Sequence, residues 1–362
     1  MTNQDSDHWS DSDSTAEGLS RREWMGRIAA GLLPVAGGLI GVGSMGAVSG
    51  AYAAPAPASD GRRRALRVAH LTDIHVKASA GAPDGMALAL DHVHGLADRP
   101  ALIIQGGDFI MDALAATAQR TQEQWTIAKR VMAEHCKLPV LHCIGNHDIW
   151  GYQKTKSETT GTEPLWGKKW ALQELELEKP YYSVDKAGWH IIVLDTVQDR
   201  GDGGYRPYLD EAQWEWLEGD LAATPKDRPI LIVGHVPFFS IGALLFIKDA
   251  EKDNQWKITS ALMMLDARRF KNLALKHKNI RLCLAGHIHL HDRIEYNGVT
   301  YITTGAVSGN WWGGAFQETV EGYGLVDLYE DGTFEYQYQP TGWKVPPRPK
   351  PTAAPTTSTI SL

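Results

Sequence analysis

Cysteine is scarce: the 362 residues contain three, Cys136, Cys143 and Cys283. An odd number at no zinc-like spacing implies neither a disulfide framework nor a thiolate metal site. Cys143 and Cys283, inside apolar runs, read as buried thiols. Basic charge is short as well, with 36 Lys and Arg against 43 Asp and Glu and a formal net charge of −7. That balance argues against coating a nucleic acid, which calls for a basic face. A convincing membrane span is also missing, because the weakly apolar stretch 28–48 contains Pro34 and many glycines and falls short of what a spanning helix requires.

What is present is 43% hydrophobic residues with ordinary charge content, enough for a sizeable core in one large domain or two small ones. Residues 1–19, polar and rich in Asp and Ser, read as a disordered leader. Ser20-Arg21-Arg22, the stretch 28–48 and the small residues Ala51-Tyr52-Ala53-Ala54 then follow the order of an export signal, and the paired arginines resemble the twin-arginine type. The expectation is a cleaved leader and signal over 1–54, recognised by the twin-arginine export machinery. The protein is then periplasmic or extracellular, exported already folded, with no stable membrane anchor. A linker over 55–64, its basic cluster 62–64 in solvent, leads into a folded domain over 65–343. The Pro- and Thr-rich tail 344–362 is expected to be disordered.

Within the domain, strand-like runs at 66–72, 101–105, 139–144, 190–195, 229–233 and 280–285 alternate with helical patterns at 86–97, 113–136, 210–222 and 260–277. Asp210 with Gln213 three residues on fits a capping box. Alternation of this kind predicts an α/β fold with a largely parallel central sheet. Past residue 290, Asn297-Gly298 and Asp331-Gly332 each sit between strand-like runs and predict two hairpins. The fold expected is a four-layer α/β/β/α sandwich with mixed central sheets, carrying a metal site at the carboxyl ends of its strands.

Five of the apolar runs end in metal-capable side chains: Asp73-Ile74-His75, Gly107-Asp108, Gly145-Asn146-His147-Asp148, Gly234-His235 and Gly286-His287-Ile288-His289. Open α/β sheets bind ligands at the carboxyl ends of their strands, so the fold would gather Asp73, His75, Asp108, Asn146, His235, His287 and His289. Such groups are not buried unpaired, since an unsatisfied buried polar group costs about 1–3 kcal/mol. Two Asp, one Asn and four His with no Cys suit iron, manganese, zinc or cobalt. Seven ligands are too many for one tetrahedral ion and the right supply for two ions that share a carboxylate. Two divalent ions against two carboxylates leave a positive centre that attracts phosphate. Paired ions about 3.5–4 Å apart also generate a hydroxide near neutral pH and clamp displaced phosphoryl oxygens.

These five motifs, in this order over about residues 66–305, resemble the calcineurin-like metallophosphoesterase superfamily. The resemblance implies one metal held by Asp73, His75, Asp108 and His289 and a second by Asp108, Asn146, His235 and His287, with Asp108 and a hydroxide bridging them. The two ions are divalent or mixed-valence transition metals. It also implies that His147 sits over the phosphate and that Asp148 orients it. Met111 stands where purple acid phosphatases carry a tyrosine, and the Asp-Arg-Gly run of protein phosphatases is absent. The compact spacing looks more like small phosphodiesterases acting on cyclic nucleotides or other diesters.

The expected function is therefore an exported dinuclear phosphoesterase, in which a metal-bound hydroxide attacks a small phosphodiester. A phosphomonoesterase or nucleotidase scavenging phosphate is the alternative. A metal-dependent binding scaffold is disfavoured because no ligand is missing. Substrate recognition is expected in three irregular segments: 150–170; 238–256, whose apolar residues read as a lid or acyl-binding wall; and 305–314 with Trp311-Trp312, which either pack on the sheet or stack on a base or sugar.

Overall fold

Strand parity sets the layers. Side chains alternate faces along a strand, and Val68, Leu102, Ile104 and Cys143 form one buried cluster with Ile191, Val193, Leu231, Val233, Leu282, Leu284 and Ile302. The intervening residues Ala69, Ile103, Ile192, Leu194 and Ile232 belong to a second cluster that contains the buried faces of the helices. Two sheets thus lie face to face, with helices on their outer sides. This is the expected four-layer sandwich. The computed structural model describes residues 61–79, 81–246 and 254–346; the expected leader, export signal and nearly all of the tail lie outside the described residues.

The first sheet has the order β13-β12-β1-β2-β3. It comprises β1 (Arg64–Leu71), β2 (Leu102–Gly106), β3 (Val140–Cys143), β12 (Gly322–Tyr329) and β13 (Phe334–Pro340). β1, β2 and β3 run parallel, joined through the helices Ala82–Gly95 and Ala118–His135. The second sheet has the order β10-β11-β9-β8-β5-β4, with β4 (Tyr182–Lys186), β5 (Trp189–Leu194), β8 (Ile230–Gly234), β9 (Ile280–Ala285), β10 (Asp292–Tyr296) and β11 (Val299–Thr303). Its β5, β8, β9 and β11 run parallel to one another, and the helices Glu211–Ala223 and Ala267–Lys276 make two of the crossovers. Both expected hairpins are present. A small hairpin, β6 (Gln198–Asp199) with β7 (Tyr205–Arg206), stands apart.

Local chemistry departs from expectation in three places. The Asp210 carboxylate caps its helix by accepting from Gln213 N at 2.8 Å, but the Gln213 amide does not reach back to complete a box. It exchanges two hydrogen bonds with the Asp195 backbone, at 2.8 and 2.9 Å, tying the helix to the end of β5. The helical pattern at 113–136 begins only at Ala118, where Thr117 accepts from Arg120 N; the residues before it form the loop after β2. The basic cluster 62–64 is ion-paired: Arg62 to Glu335, Arg63 to Glu330 and Arg64 to Asp98.

His190 joins β5 to an outer helix. Its Nδ1 donates to Asp185 at 2.6 Å and its Nε2 to Asp220 at 2.8 Å. The Asp220 hydrogen bond raises the imidazole pKa above its ordinary 6.5 against the opposing effect of burial, and Asp185 adds to the rise. A raised folded-state pKa gives stability that is complete below the ordinary value and lost as pH climbs through the folded one. His190→Gln is therefore expected to cost on the order of 1 kcal/mol at pH 6 and less at pH 9. Urea melts of both proteins at the two pH values check this; an equal cost at both would contradict it.

Candidate metal centre

The parallel strands of both sheets deliver their carboxyl ends to one place. Past β1, the chain continues alongside the loop after β2: Asp73 N donates to Gly107 O and His75 N to Asp108 O, both at 3.0 Å. Past β9, Gly286 N donates to His235 O at 3.0 Å. The turns are tight. Asp73, His75, Asp108, His287 and His289 all have positive φ, between 49° and 71°, a region that costs a non-glycine residue of order 1 kcal/mol or more and persists where the surroundings enforce it. A side chain at Gly145 would lie 2.2 Å from Asp108 N, and one at Gly286 would lie 2.0 Å from Thr72 Oγ1, so only glycine permits this approach.

All seven predicted ligand residues come together. His289 Nε2 is 3.1 Å from His75 Nε2 and 3.3 Å from Asp73 Oδ1. His235 Nε2 is 3.2 Å from Asp108 Oδ2, from Asn146 Oδ1 and from His287 Nδ1. Asp108 Oδ2 lies between the two sets, 3.6 Å from His75 Nε2. The groups Asp73–His75–His289 and Asp108–His235–His287 each place one ligand atom per residue within 4.8 Å of the others.

The outer hydrogen bonds fix which nitrogens face inward. His235 Nδ1 pairs with Gly106 O at 2.9 Å, His289 Nδ1 with Gly309 O at 2.7 Å and His287 Nε2 with Ala261 O at 2.9 Å. A carbonyl only accepts, so each of these nitrogens carries the proton and the inward nitrogen presents a lone pair. At the His235–His287 contact, 3.2 Å, two such lone pairs face each other and repel unless something positive lies between them; His289 Nε2 meets His75 Nε2 at 3.1 Å, and the outer nitrogen of His75 has no hydrogen-bond partner. Two nitrogens bound at about 2.1 Å to one ion stand about 3.0–3.4 Å apart at tetrahedral to octahedral angles, so these side chains fit a pair of cations. The local field favours positive charge between these groups, whether a proton or a metal ion. Burial opposes charge on His235, yet Asp108 and Asp73 outweigh it and push its pKa up to about 9. His289 is likewise raised by Asp73 against burial. Asp73, also against burial, is held well below the carboxylate range by His289 and His235.

His147 stands at the rim, about a quarter exposed, with Nε2 4.0 Å from Asp108 Oδ2 and its ring 4.8 Å from that of His75. Asp148 does not orient it. The Asp148 carboxylate is buried and accepts from Phe109 N, Ile110 N and Gly145 N at 2.8, 3.2 and 2.9 Å, so it clamps the loop after β2 to the loop after β3. The reason is local: a short 3-10 turn, Asn146–Asp148, points consecutive side chains in different directions. The carboxylate that His147 Nδ1 does face is Asp112, at 4.0 Å.

Residues 66–291, well over half of the chain, match the calcineurin-like phosphoesterase family. The chain belongs to that family. The calcineurin-like phosphoesterases are hydrolytic enzymes with dinuclear metal centres, and the clusters above stand where such a centre would be held. A probable cyclic nucleotide phosphodiesterase of Synechococcus is 26% identical to this phosphoesterase over 190 residues, 52% of this chain and 58% of that protein. The chain thus spans little more than half the length of that relative. The 3′,5′-cyclic adenosine monophosphate phosphodiesterase CpdA of Escherichia coli is 23% identical over 229 residues, 61% of this chain and 72% of its own. A dimetal phosphatase from Danio rerio shares the fold, with a TM-score of 0.51 and 15% identity over 77% of this chain and 97% of that one.

The three segments expected to recognise substrate of this phosphoesterase separate on inspection. In segment 150–170, Trp150, Tyr152 and Trp170 are buried, and Trp150 Nε1 donates to Ala116 O at 3.0 Å. In 238–256, Phe238 stacks on Phe270 at 3.7 Å and Phe239 packs on Tyr301, so the pair belongs to the core and not to a lid; residues 247–253 are outside the described set. The pair Trp311-Trp312 splits, with Trp312 buried and Trp311 beside His289 at 4.6 Å. Sequence reading missed Thr72, whose hydroxyl donates to Asp73 Oδ2 at 2.6 Å, and Ser308, which donates to Asp73 O at 2.7 Å. It also missed Tyr205, whose hydroxyl is 3.3 Å from His287 Nε2. Thr72 and Ser308 lie at the ends of parallel strands or just beyond them, a positional signal; Tyr205 lies on the small hairpin and carries no signal in sequence.

Proposed function

We propose that this phosphoesterase hydrolyses small phosphodiesters of the cyclic-nucleotide kind, with one metal ion held by Asp73, His75, Asp108 and His289 and another by Asp108, Asn146, His235 and His287. The observation that carries the reading is the 3.2 Å contact between His235 Nε2 and His287 Nδ1, whose outer nitrogens both meet backbone carbonyls. Cations bound there would supply Lewis acidity towards the phosphoryl oxygens and an acidified water. Asp108 keeps the two sets at a fixed separation and, through Oδ1, accepts from His147 N at 2.8 Å. That bond places His147 at the rim, where Nε2 donates a proton to the departing ester oxygen as the P–O bond breaks. The carbonyls of Gly106, Ala261 and Gly309 hold the inward tautomers.

Diesters are preferred in this reading because the relatives at 26% and 23% identity are described as cyclic nucleotide phosphodiesterases. The test is kcat/KM on bis-p-nitrophenyl phosphate and a 3′,5′-cyclic nucleotide against p-nitrophenyl phosphate. A preference for diesters of roughly tenfold or more, about 1.4 kcal/mol, is expected. The reverse order would make the protein a monoesterase. The leader with Arg21-Arg22 supports action outside the cytoplasm; finding the mature chain only in the cytoplasm would remove that part.

A further inference from the structure

Two adjacent tryptophans with positive φ, Trp311 at 49° and Trp312 at 71°, lie in the loop between β11 and β12, and they do different things. Trp312 is a packing residue. It is buried, its Nε1 donates to His75 O at 3.2 Å, and its ring fills the space above Gly85, where an added Cβ would come within 2.2 Å. Trp311 belongs to none of the buried clusters. Its ring lies 4.6 Å from His289 and 5.9 Å from His75. Next outward is Phe316, 5.9 Å from Trp311 and edge-on to it, and then Phe246, 6.0 Å beyond and stacked on Phe316. An aromatic shelf therefore starts against two candidate ligands and leads away from them.

The shelf is braced by the same residues that shape the centre. Ser308 bonds to Asp73 O through both its N and its hydroxyl, His289 pairs with Gly309 O, and Asn310 N donates to Gly314 O at 2.8 Å. Further out, the Asp292 carboxylate accepts from Ser240 Oγ and Gly242 N, both at 2.6 Å, and so anchors the turn that carries Phe246. A bulky ring in the left-handed region is strained, and Trp311 is not a member of the buried clusters that would offset the strain. Flat aromatic faces beside a phosphate site are the means by which proteins hold bases.

We propose that Trp311 determines specificity by stacking on the nucleobase of the substrate, with Phe316 and Phe246 extending the surface. The inference rests on the proposed phosphodiesterase activity and names the group attached to the phosphate. A flat indole face and two phenyl rings favour a planar base over an acyl chain, which gains nothing from ring geometry.

The test compares wild type, Trp311→Ala and Trp311→Phe on a 3′,5′-cyclic nucleotide and on glycerophosphoethanolamine, an aliphatic diester. Stacking on one base is lost at roughly 5- to 150-fold, so Trp311→Ala should fall by that factor more on the cyclic nucleotide than on the aliphatic diester. The loss should lie in KM, and Trp311→Phe should recover most of it. Equal losses on both substrates, or none on either, would overturn the proposal. Binding of adenosine 5′-monophosphate against ribose 5-phosphate by calorimetry separates the two ideas. If wild type cleaves no diester, the activity is wrong, and the stacking stands or falls on whether Trp311→Ala weakens the nucleotide alone.

Discussion

Asp108→Asn protein should fold like wild type and hydrolyse phosphodiesters on the order of 10³-fold more slowly, because the shared carboxylate supports several kcal/mol of transition-state stabilisation at about 1.4 kcal/mol per tenfold. The position is singular. Asp108 Oδ2 is 3.2 Å from His235 and 3.6 Å from His75, so it is the one carboxylate that both sets of imidazoles meet among the described residues. Asparagine keeps the shape and an oxygen for His147 N, but it removes the negative charge that balances two cations. The loss should therefore appear in kcat together with bound metal, with circular dichroism unchanged. Activity within tenfold of wild type would show that Asp108 does not bridge.

His147→Ala should reduce kcat on the cyclic nucleotide by about 10²–10⁴, the usual contribution of a positioned acid. It should do much less on bis-p-nitrophenyl phosphate, whose leaving group departs without a proton. That split marks proton donation and not packing, since His147 is partly exposed and contributes to no buried cluster. Metal content should remain at the wild-type level. Equal losses on both substrates would assign His147 to holding the phosphate.

Much of this was legible in the chain because apolar runs ending in Asp, Asn or His mark strand ends in an α/β fold. The five motifs gave the seven side chains, and glycines at 107, 145 and 286 marked where loops must approach closely. What sequence could not supply was direction. The family resemblance implied that Asp148 orients His147, but the 3-10 turn sends its carboxylate to three backbone N–H groups and leaves His147 facing Asp112. Trp311 and Trp312 are chemically identical, and only the loop backbone decides that one packs and the other flanks the site. Phe238 and Phe239 looked too apolar for a surface because they are not on one. Strand β4, Tyr182–Lys186, was missed although Tyr182 and Val184 alternate with Ser183 and Asp185, because the run is short.

The central claim is that loops from distant parts of the chain hold two cations. Elemental analysis of the purified, active, desalted protein measures this most directly. Two equivalents of transition metal per chain, falling together with activity on chelation and returning together on reloading, is the predicted result. Full activity in protein that contains no stoichiometric transition metal would contradict it.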